Sequence, residues 1–183
     1  MTTMVTNRYI QTLEAVLAKS KTAVHWLVIA HNDSRMVHSL SSALSRESAA
    51  ILEISADTWD FEDDELSEMI EWALQQGEIR HLVLAGHSQA GGTAIQAQLV
   101  SSNMEGESHG SFNRLVAGVQ RTKTHNQEAQ QKFATHVQQM SQLSVVTNRW
   151  ANAELAVSGL FYRAESGLFL AYDPNENIFH PLK

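Results

Sequence analysis

The sequence predicts a single α/β domain: a mostly parallel β-sheet flanked by helices, with an antiparallel edge strand near the C-terminus. Nearly continuous apolar runs at residues 23–30 and 79–86 are rich in β-branched residues, which is typical of parallel strands buried on both faces. A run of helical period precedes the second of these strands, as in a strand–helix–strand crossover. The alternating pattern of residues 154–174 is instead typical of an antiparallel hairpin.

Composition limits the classes of function. The chain has 183 residues, enough for one well-packed core, and its 13 basic and 20 acidic residues give a formal charge of -7. Since no basic run occurs, neither nucleic acid nor an anionic membrane surface is an expected partner. The sequence has no leader pattern and no apolar stretch long enough to span a bilayer, so we expect a cytoplasmic protein.

Cysteine is absent, and this limits the chemistry of any site most strongly. Disulfides, thiolate nucleophiles and zinc sites with sulfur ligands are excluded. The nine histidines are therefore the side chains that could offer nitrogen ligands to a transition metal.

The first part of the chain predicts a helix and two strands. Residues 1–20 predict an N-terminal helix, because apolar residues recur there at helical spacing. These residues are Ile10, Leu13, Val16 and Leu17. The strand at residues 23–30 follows, and residues 49–55 predict a second, weaker strand.

A crossover helix is predicted over residues 60–77. Acidic residues fill its first turn, apolar residues repeat at helical spacing, and Gly77 is a typical C-terminal residue. Because it joins the second strand to the third, at residues 79–86, these strands are expected to be parallel.

The rest of the chain predicts helices and then the hairpin. Residues 92–103 and 111–120 predict two helices, with residues 101–111 read as a polar loop. A further Gln-rich helix is predicted from apolar positions at helical spacing. These positions are Ala129, Phe133, Val137 and Met140. The final hairpin turns at residues 164–167.

The loop after the third strand allows two interpretations. Gly86-His87-Ser88 follows a strand and precedes a helix, which resembles the nucleophile elbow G-x-S-x-G of α/β-hydrolases, although Ala90 replaces the last glycine. A serine hydrolase would then use Ser88 with Asp173 and His180. Against this interpretation, few parallel strands are predicted after Ser88 to carry an acid and a base.

The second interpretation uses more of the chain. The segments "VIAHNDSRM" and "LAGHSQAGG" resemble two motifs of the β-class carbonic anhydrases, C-x-D-x-R after the first core strand and H-x-x-C after a later one. They read here as His31-Asn32-Asp33-Ser34-Arg35 and His87-Ser88-Gln89-Ala90. The tail "VSGLFYRAESGLFLAYDP" resembles the closing hairpin of that family. The resemblance spans residues 23–174.

This resemblance implies zinc-dependent interconversion of carbon dioxide and bicarbonate. In the family, two cysteines and one histidine hold zinc, and an aspartate–arginine pair orients the zinc-bound hydroxide. By position, His31 and Ala90 stand in place of the two cysteines, and His87 matches the histidine. Asp33 and Arg35 match the pair and are the candidate catalytic residues.

Two hypotheses follow for the site. In the first, His31, Asp33 and His87 hold zinc, with Arg35 next to them, because three protein ligands and a water are usual at catalytic zinc. Such a zinc ion would lower the pKa of its bound water toward neutrality. In the second, no metal is bound, Asp33 and Arg35 form an ion pair, and the cleft binds an anion or a partner without catalysis.

The resemblance also implies an assembly. Members of the family pair through an N-terminal helix and the sheet edge, so we expect a homodimer or a dimer of dimers. Residues 1–183 are expected to form one domain, with carbon dioxide or bicarbonate as the small-molecule partner of an active protein.

Overall fold

The computed structural model describes residues 7–44, 47–55, 61, 64–76, 78–88 and 108–182; residues 64 and 108–124 are described by their backbone only. The helices are α1 (Arg8–Leu17), α2 (Ser34–Ala43), α3 (Asp64–Gln76), α4 (Ser108–Gln142) and α5 (Ser144–Ala151). The strands are β1 (Trp26–His31), β2 (Ala49–Ile54), β3 (His81–His87), β4 (Ala156–Arg163), β5 (Leu168–Asp173) and β6 (Ile178–Pro181).

The six strands form one sheet in the order β2-β1-β3-β4-β5-β6. The first four strands in this order are parallel, and β5 and β6 are added antiparallel at one edge. The predicted fold class, a mostly parallel sheet flanked by helices with an antiparallel edge, is confirmed. Because β1 and β3 are parallel neighbours, their carboxyl ends lie at the same edge of the sheet. The candidate site is at this edge.

The two faces of the sheet carry cores of different size. The larger core packs α1, α3, α4 and α5 against residues such as Leu27, Leu82 and Phe161. The smaller core lies on the other face, where Met36 and Leu40 of α2 pack against Val28 and Val83. Burial on both faces explains why β1 and β3 are apolar at almost every position rather than alternating.

The predicted strands and helices within the described residues have observed counterparts, but helix α2 was not predicted, and there are two further differences. The polar residues 108–111, predicted as loop, belong to α4, which runs on through residues 111–120 and the Gln-rich segment. An established helix extends through polar residues at small cost, so their composition does not stop it. The short strand β6 was not predicted, because four residues without alternation carry little sequence signal. The helix predicted over residues 92–103 lies outside the described residues.

None of the helices that the structure describes is both long and apolar enough to cross a bilayer.

Candidate functional site at the carboxyl ends of the strands

The two sequence motifs come together where β1 and β3 end. The strands are adjacent and parallel, with Ala30 paired to Ala85, so His31 and His87 end neighbouring strands at the same edge. Their imidazole rings lie 5.1 Å apart between centroids and meet edge to face, with an angle of 84° between the planes. The structure therefore brings together the two predicted histidines.

His31 is buried, with 9% of its surface exposed. Its Nδ1 accepts a hydrogen bond from the backbone N–H of His87, at 3.3 Å. Burial, together with the nearby His87, His136 and Lys132, lowers the pKa of His31 from 6.5 to about 3, and burial contributes most. His31 is therefore a neutral imidazole at physiological pH.

Asp33 is the N-cap of α2. Its Oδ1 accepts hydrogen bonds from the backbone N–H groups of Arg35 and Met36, at 3.1 and 2.9 Å. Its Oδ2 lies 3.6 Å from Nη2 of Arg35, whose side chain is 54% exposed. Burial by itself raises the pKa of Asp33, but the hydrogen bond from Met36, the nearby His87 and Arg35 outweigh it, and the pKa lies below its usual value.

His87 is oriented by its own neighbour. Its Nδ1 lies 3.0 Å from the carbonyl oxygen of Ser88. A carbonyl oxygen only accepts hydrogen bonds, so Nδ1 carries the proton and the lone pair of the neutral ring is on Nε2.

Ser88 serves to join three elements. Its buried hydroxyl accepts from the backbone N–H of Ala164 and donates to Oε2 of Glu165, both at 3.0 Å. Glu165 in turn accepts from Asn126 of α4 at 2.8 Å. The turn between β4 and β5 is thus tied to the end of β3 and to α4.

These contacts do not form the triad of the hydrolase interpretation. The described partner of Ser88 is a carboxylate, and His180 lies on β6, where its Nε2 is 3.8 Å from Glu176. Asp173 accepts from the backbone N–H of Asn175 in the turn before β6. The Ser88 hydroxyl therefore has no imidazole base among its described hydrogen-bond partners, and the hydrolase interpretation is not supported.

Helix α4 adds side chains that the sequence did not single out. Lys132 and His136 lie near enough to His31 to lower its pKa, and Phe133 packs over Gly86 at the end of β3. Their sequence signal is only a helical face, with Phe133 and His136 three positions apart, and that pattern does not distinguish a cleft wall from ordinary core. Ala90, the second replaced cysteine, lies outside the described residues.

A family model described as carbonic anhydrase matches residues 26–169, which is most of the chain. The chain belongs to the carbonic anhydrase family. Its fold is that of the β class, as comparison with solved structures shows. No curated protein sequence matches this chain significantly.

The similar structures are β-carbonic anhydrases of low sequence identity. CafA of the fungal pathogen Aspergillus fumigatus is 21% identical, with a TM-score of 0.58 over 90% of this chain and 82% of that one. One of two tetrameric enzymes of the filamentous ascomycete Sordaria macrospora is 19% identical, with a TM-score of 0.55 over 88% of this chain and 86% of that one. The likeness therefore covers the domain as a whole.

Zinc is the metal that the family implies, so we examined which donors of this carbonic anhydrase relative have a lone pair to offer. The Nδ1 lone pair of His31 accepts the His87 N–H, and the single proton of the neutral ring must then be on Nε2. Both oxygens of Asp33 are engaged, one by the α2 backbone and one by Arg35.

His87 keeps a lone pair on its Nε2, and Asp33 keeps lone pairs on Oδ2, whose described contact is the ion pair with Arg35 at 3.6 Å. Within the part of the chain that the structure describes, no three His, Asp or Glu side chains are grouped to hold a metal ion. The donors as arranged here do not fit zinc.

Proposed function

We propose that this chain is a β-carbonic-anhydrase relative that binds a small anion such as bicarbonate in the cleft, without zinc and without hydrating carbon dioxide. The proposal rests on the hydrogen bonds that two candidate zinc ligands make within the protein. His31 accepts one from the backbone N–H of His87, and Asp33 accepts two at the start of α2. These hydrogen bonds compete with coordination of zinc by the same side chains.

The charges around the cleft support an anionic ligand. Lys132 lies near His31 and Arg35 lies near Asp33, and Arg35 presents a half-exposed guanidinium. A guanidinium suits a planar oxyanion because its N–H groups form a fork that can bond two oxygens at once.

Metal content tests the absence of zinc. The protein would be purified without added metal or chelator, its zinc measured by mass spectrometry, and its carbon dioxide hydration followed by stopped flow. We expect well under one zinc per chain and hydration at the buffer rate. Zinc near one per chain that is lost in His87→Ala would overturn the proposal.

Bicarbonate binding is tested separately. Titration with ¹³C-bicarbonate, against chloride at equal ionic strength, should shift the amide resonances of Arg35 and His87. Arg35→Met should abolish the shift, and Arg80→Met, which alters an exposed arginine at the amino end of β3, should not. If the cleft resonances respond equally to chloride and bicarbonate, the anion proposal is wrong.

One observation favours the zinc hydratase as a second candidate. Two imidazoles on one tetrahedral zinc have ring centres roughly 5 Å apart, because each Zn–N bond is about 2.1 Å. The 5.1 Å between His31 and His87 matches this separation. The hydratase would require His31 to release the His87 N–H and Asp33 to leave its helix cap. The metal measurement above distinguishes the two candidates.

We also propose that the chain assembles as a homodimer or a dimer of dimers, as the family resemblance implies. The similar Sordaria macrospora enzymes are tetrameric. Val16 of the N-terminal helix α1 is 40% exposed, so a contact through this helix can be tested at this residue. The cytoplasmic location stays a prediction.

A further inference from the structure

We infer that the imidazole of His31 joins the ends of β1 and β3 by a hydrogen bond that fixes its tautomer, with the proton on Nε2. In the β-class motifs, ligands after these two strands meet on one metal ion. Here a ring nitrogen from one strand and a backbone N–H from the other make the link directly. The inference goes beyond the proposed function, since it concerns how the cleft is built, whatever ligand it holds.

The backbone explains why a side chain is needed at this point. The carbonyl oxygen of His31 accepts from the N–H of Asp33 at 2.8 Å, because the chain turns toward α2. His87 lies two residues beyond Ala85, which forms the last β1–β3 pair with Ala30. A partly buried N–H without an acceptor is costly, and the His31 ring supplies the acceptor that the turning backbone does not.

Packing holds the ring in the orientation that this bond requires. His31 is 9% exposed and meets His87 edge to face. An added Cβ on Gly86 would lie 3.5 Å from Cε1 of His31 and 2.5 Å from Cδ2 of Phe133, so ring, strand and helix α4 are in close contact there. Rotation of the imidazole by half a turn would bring carbon, in place of Nδ1, to the His87 N–H.

The molecule contains its own controls for the tautomer. His25 and His87 each have Nδ1 at 3.0 Å from a backbone carbonyl oxygen, of Glu78 and Ser88 respectively. Those contacts require the proton on Nδ1, the reverse of His31. The inference therefore predicts opposite tautomers for His31 and for these two histidines.

Nuclear magnetic resonance of the ¹⁵N-histidine-labelled full chain measures this directly. At about pH 8, where ordinary histidines are neutral, the long-range proton–nitrogen spectrum should show His31 protonated on Nε2, and His25 and His87 protonated on Nδ1. A spectrum with His31 protonated on Nδ1 would overturn the inference. The experiment uses the wild-type chain and needs no variant.

Two substitutions test the link itself. The amide oxygen of asparagine occupies nearly the position of imidazole Nδ1, so His31→Asn should retain the bond, and His31→Leu should remove it. We expect the His87 amide to exchange with deuterium about tenfold faster in His31→Leu than in His31→Asn, with the Leu84 amide of the same strand as control. Equal His87 exchange in the two variants would contradict the link.

Failure of this inference can be told apart from failure of the proposed function. A metal-free protein with His31 protonated on Nδ1 overturns only the inference. A protein with one zinc per chain whose His87 amide still exchanges faster in His31→Leu than in His31→Asn overturns only the absence of zinc.

Discussion

At the scale of single residues, His31 and Asp33 show that a residue's identity leaves its role open. An imidazole and a carboxylate are both zinc ligands in principle. In this chain, one accepts a backbone N–H of the neighbouring strand and the other accepts two N–H groups of its own helix. Whether a donor can bind a metal therefore depends on which lone pairs remain, and that is set by its surroundings.

The pKa of His31 predicts how stability depends on pH. The folded state holds this pKa at about 3, below its unfolded value of 6.5, so only the unfolded state takes up the proton between these values. This contribution to stability is complete above pH 6.5 and falls by about 1.4 kcal/mol per pH unit as the pH decreases toward 3. The free energy of unfolding of the wild type should therefore decrease relative to that of His31→Asn as the pH decreases from 6.5 toward 3.

Urea unfolding of both proteins at about pH 7.5, 6 and 5 provides the measurement. Other titrating groups are shared by the two proteins, so the difference between them isolates residue 31. The wild type should lose stability faster than His31→Asn as the pH decreases. Parallel pH dependences would show that His31 protonates freely in the folded state.

Asp33 should behave as a helix cap. Asp33→Ala removes the acceptor for the N–H groups of Arg35 and Met36 and should lower the free energy of unfolding by about 1 kcal/mol. Asp33→Asn retains an oxygen at the cap and should cost clearly less. Urea unfolding of the three proteins compares them, and equal losses in both variants would contradict capping as the main role.

At the scale of elements, two glycines determine how α4 packs on the sheet. Gly86 of β3 and Gly159 of β4 both lie under Phe133, whose ring is 2.5 Å from the position of a Cβ on Gly86 and 3.0 Å from one on Gly159. Phe133 is buried and touches Phe161 and Phe179, so its ring has little room to move. The missing side chains thus let α4 approach the strand ends that carry the site.

Gly86→Ala should destabilise the protein by about 1–3 kcal/mol, because the added methyl group overlaps Phe133 in a close-packed core. A double-mutant cycle with Phe133→Leu tests the cause: the smaller side chain should remove part of the cost of Gly86→Ala. Additive losses, measured by urea unfolding, would show that the alanine acts through something other than Phe133.

At the scale of the whole molecule, the sheet is covered unequally. Four of the described helices pack on one face, and α2 is the one described helix whose side chains pack into the smaller core on the other. The antiparallel strands β5 and β6 extend the sheet beyond the parallel strands that carry the site. The site therefore lies in the middle of the sheet, where strands on both sides hold the ends of β1 and β3 in place.

The proposed assembly makes a prediction at this scale. Light scattering should give twice or four times the mass of one chain. If α1 forms the contact, Val16→Glu should shift the mass toward that of a single chain and leave the circular dichroism spectrum unchanged. Lys19→Glu, an exposed change just after the same helix, should leave the mass unaltered. A wild-type monomer at high concentration would contradict the proposal.

The sequence by itself determined the fold class, the order of the main elements and the positions of the site motifs. The spacing of apolar residues along a strand or helix shows which of its faces are buried in the fold. Continuous apolar runs, helical spacing and the alternation near the C-terminus therefore predicted the elements and the fold class. Residues 31, 33, 35 and 87 were proposed for the site because their motifs resemble those of the β-class carbonic anhydrases, and these motifs follow buried strands.

Only the tertiary structure decided what these residues do. The His31–His87 bond joins residues 56 positions apart, and Phe133 and Lys132 reach the cleft from a separate helix. Lone pairs and proton positions depend on such distant partners, which no local pattern encodes. For that reason the sequence proposed two histidines and an aspartate for the site but left open whether they bind zinc, and the hydrogen bonds that these side chains make depend on the folded chain.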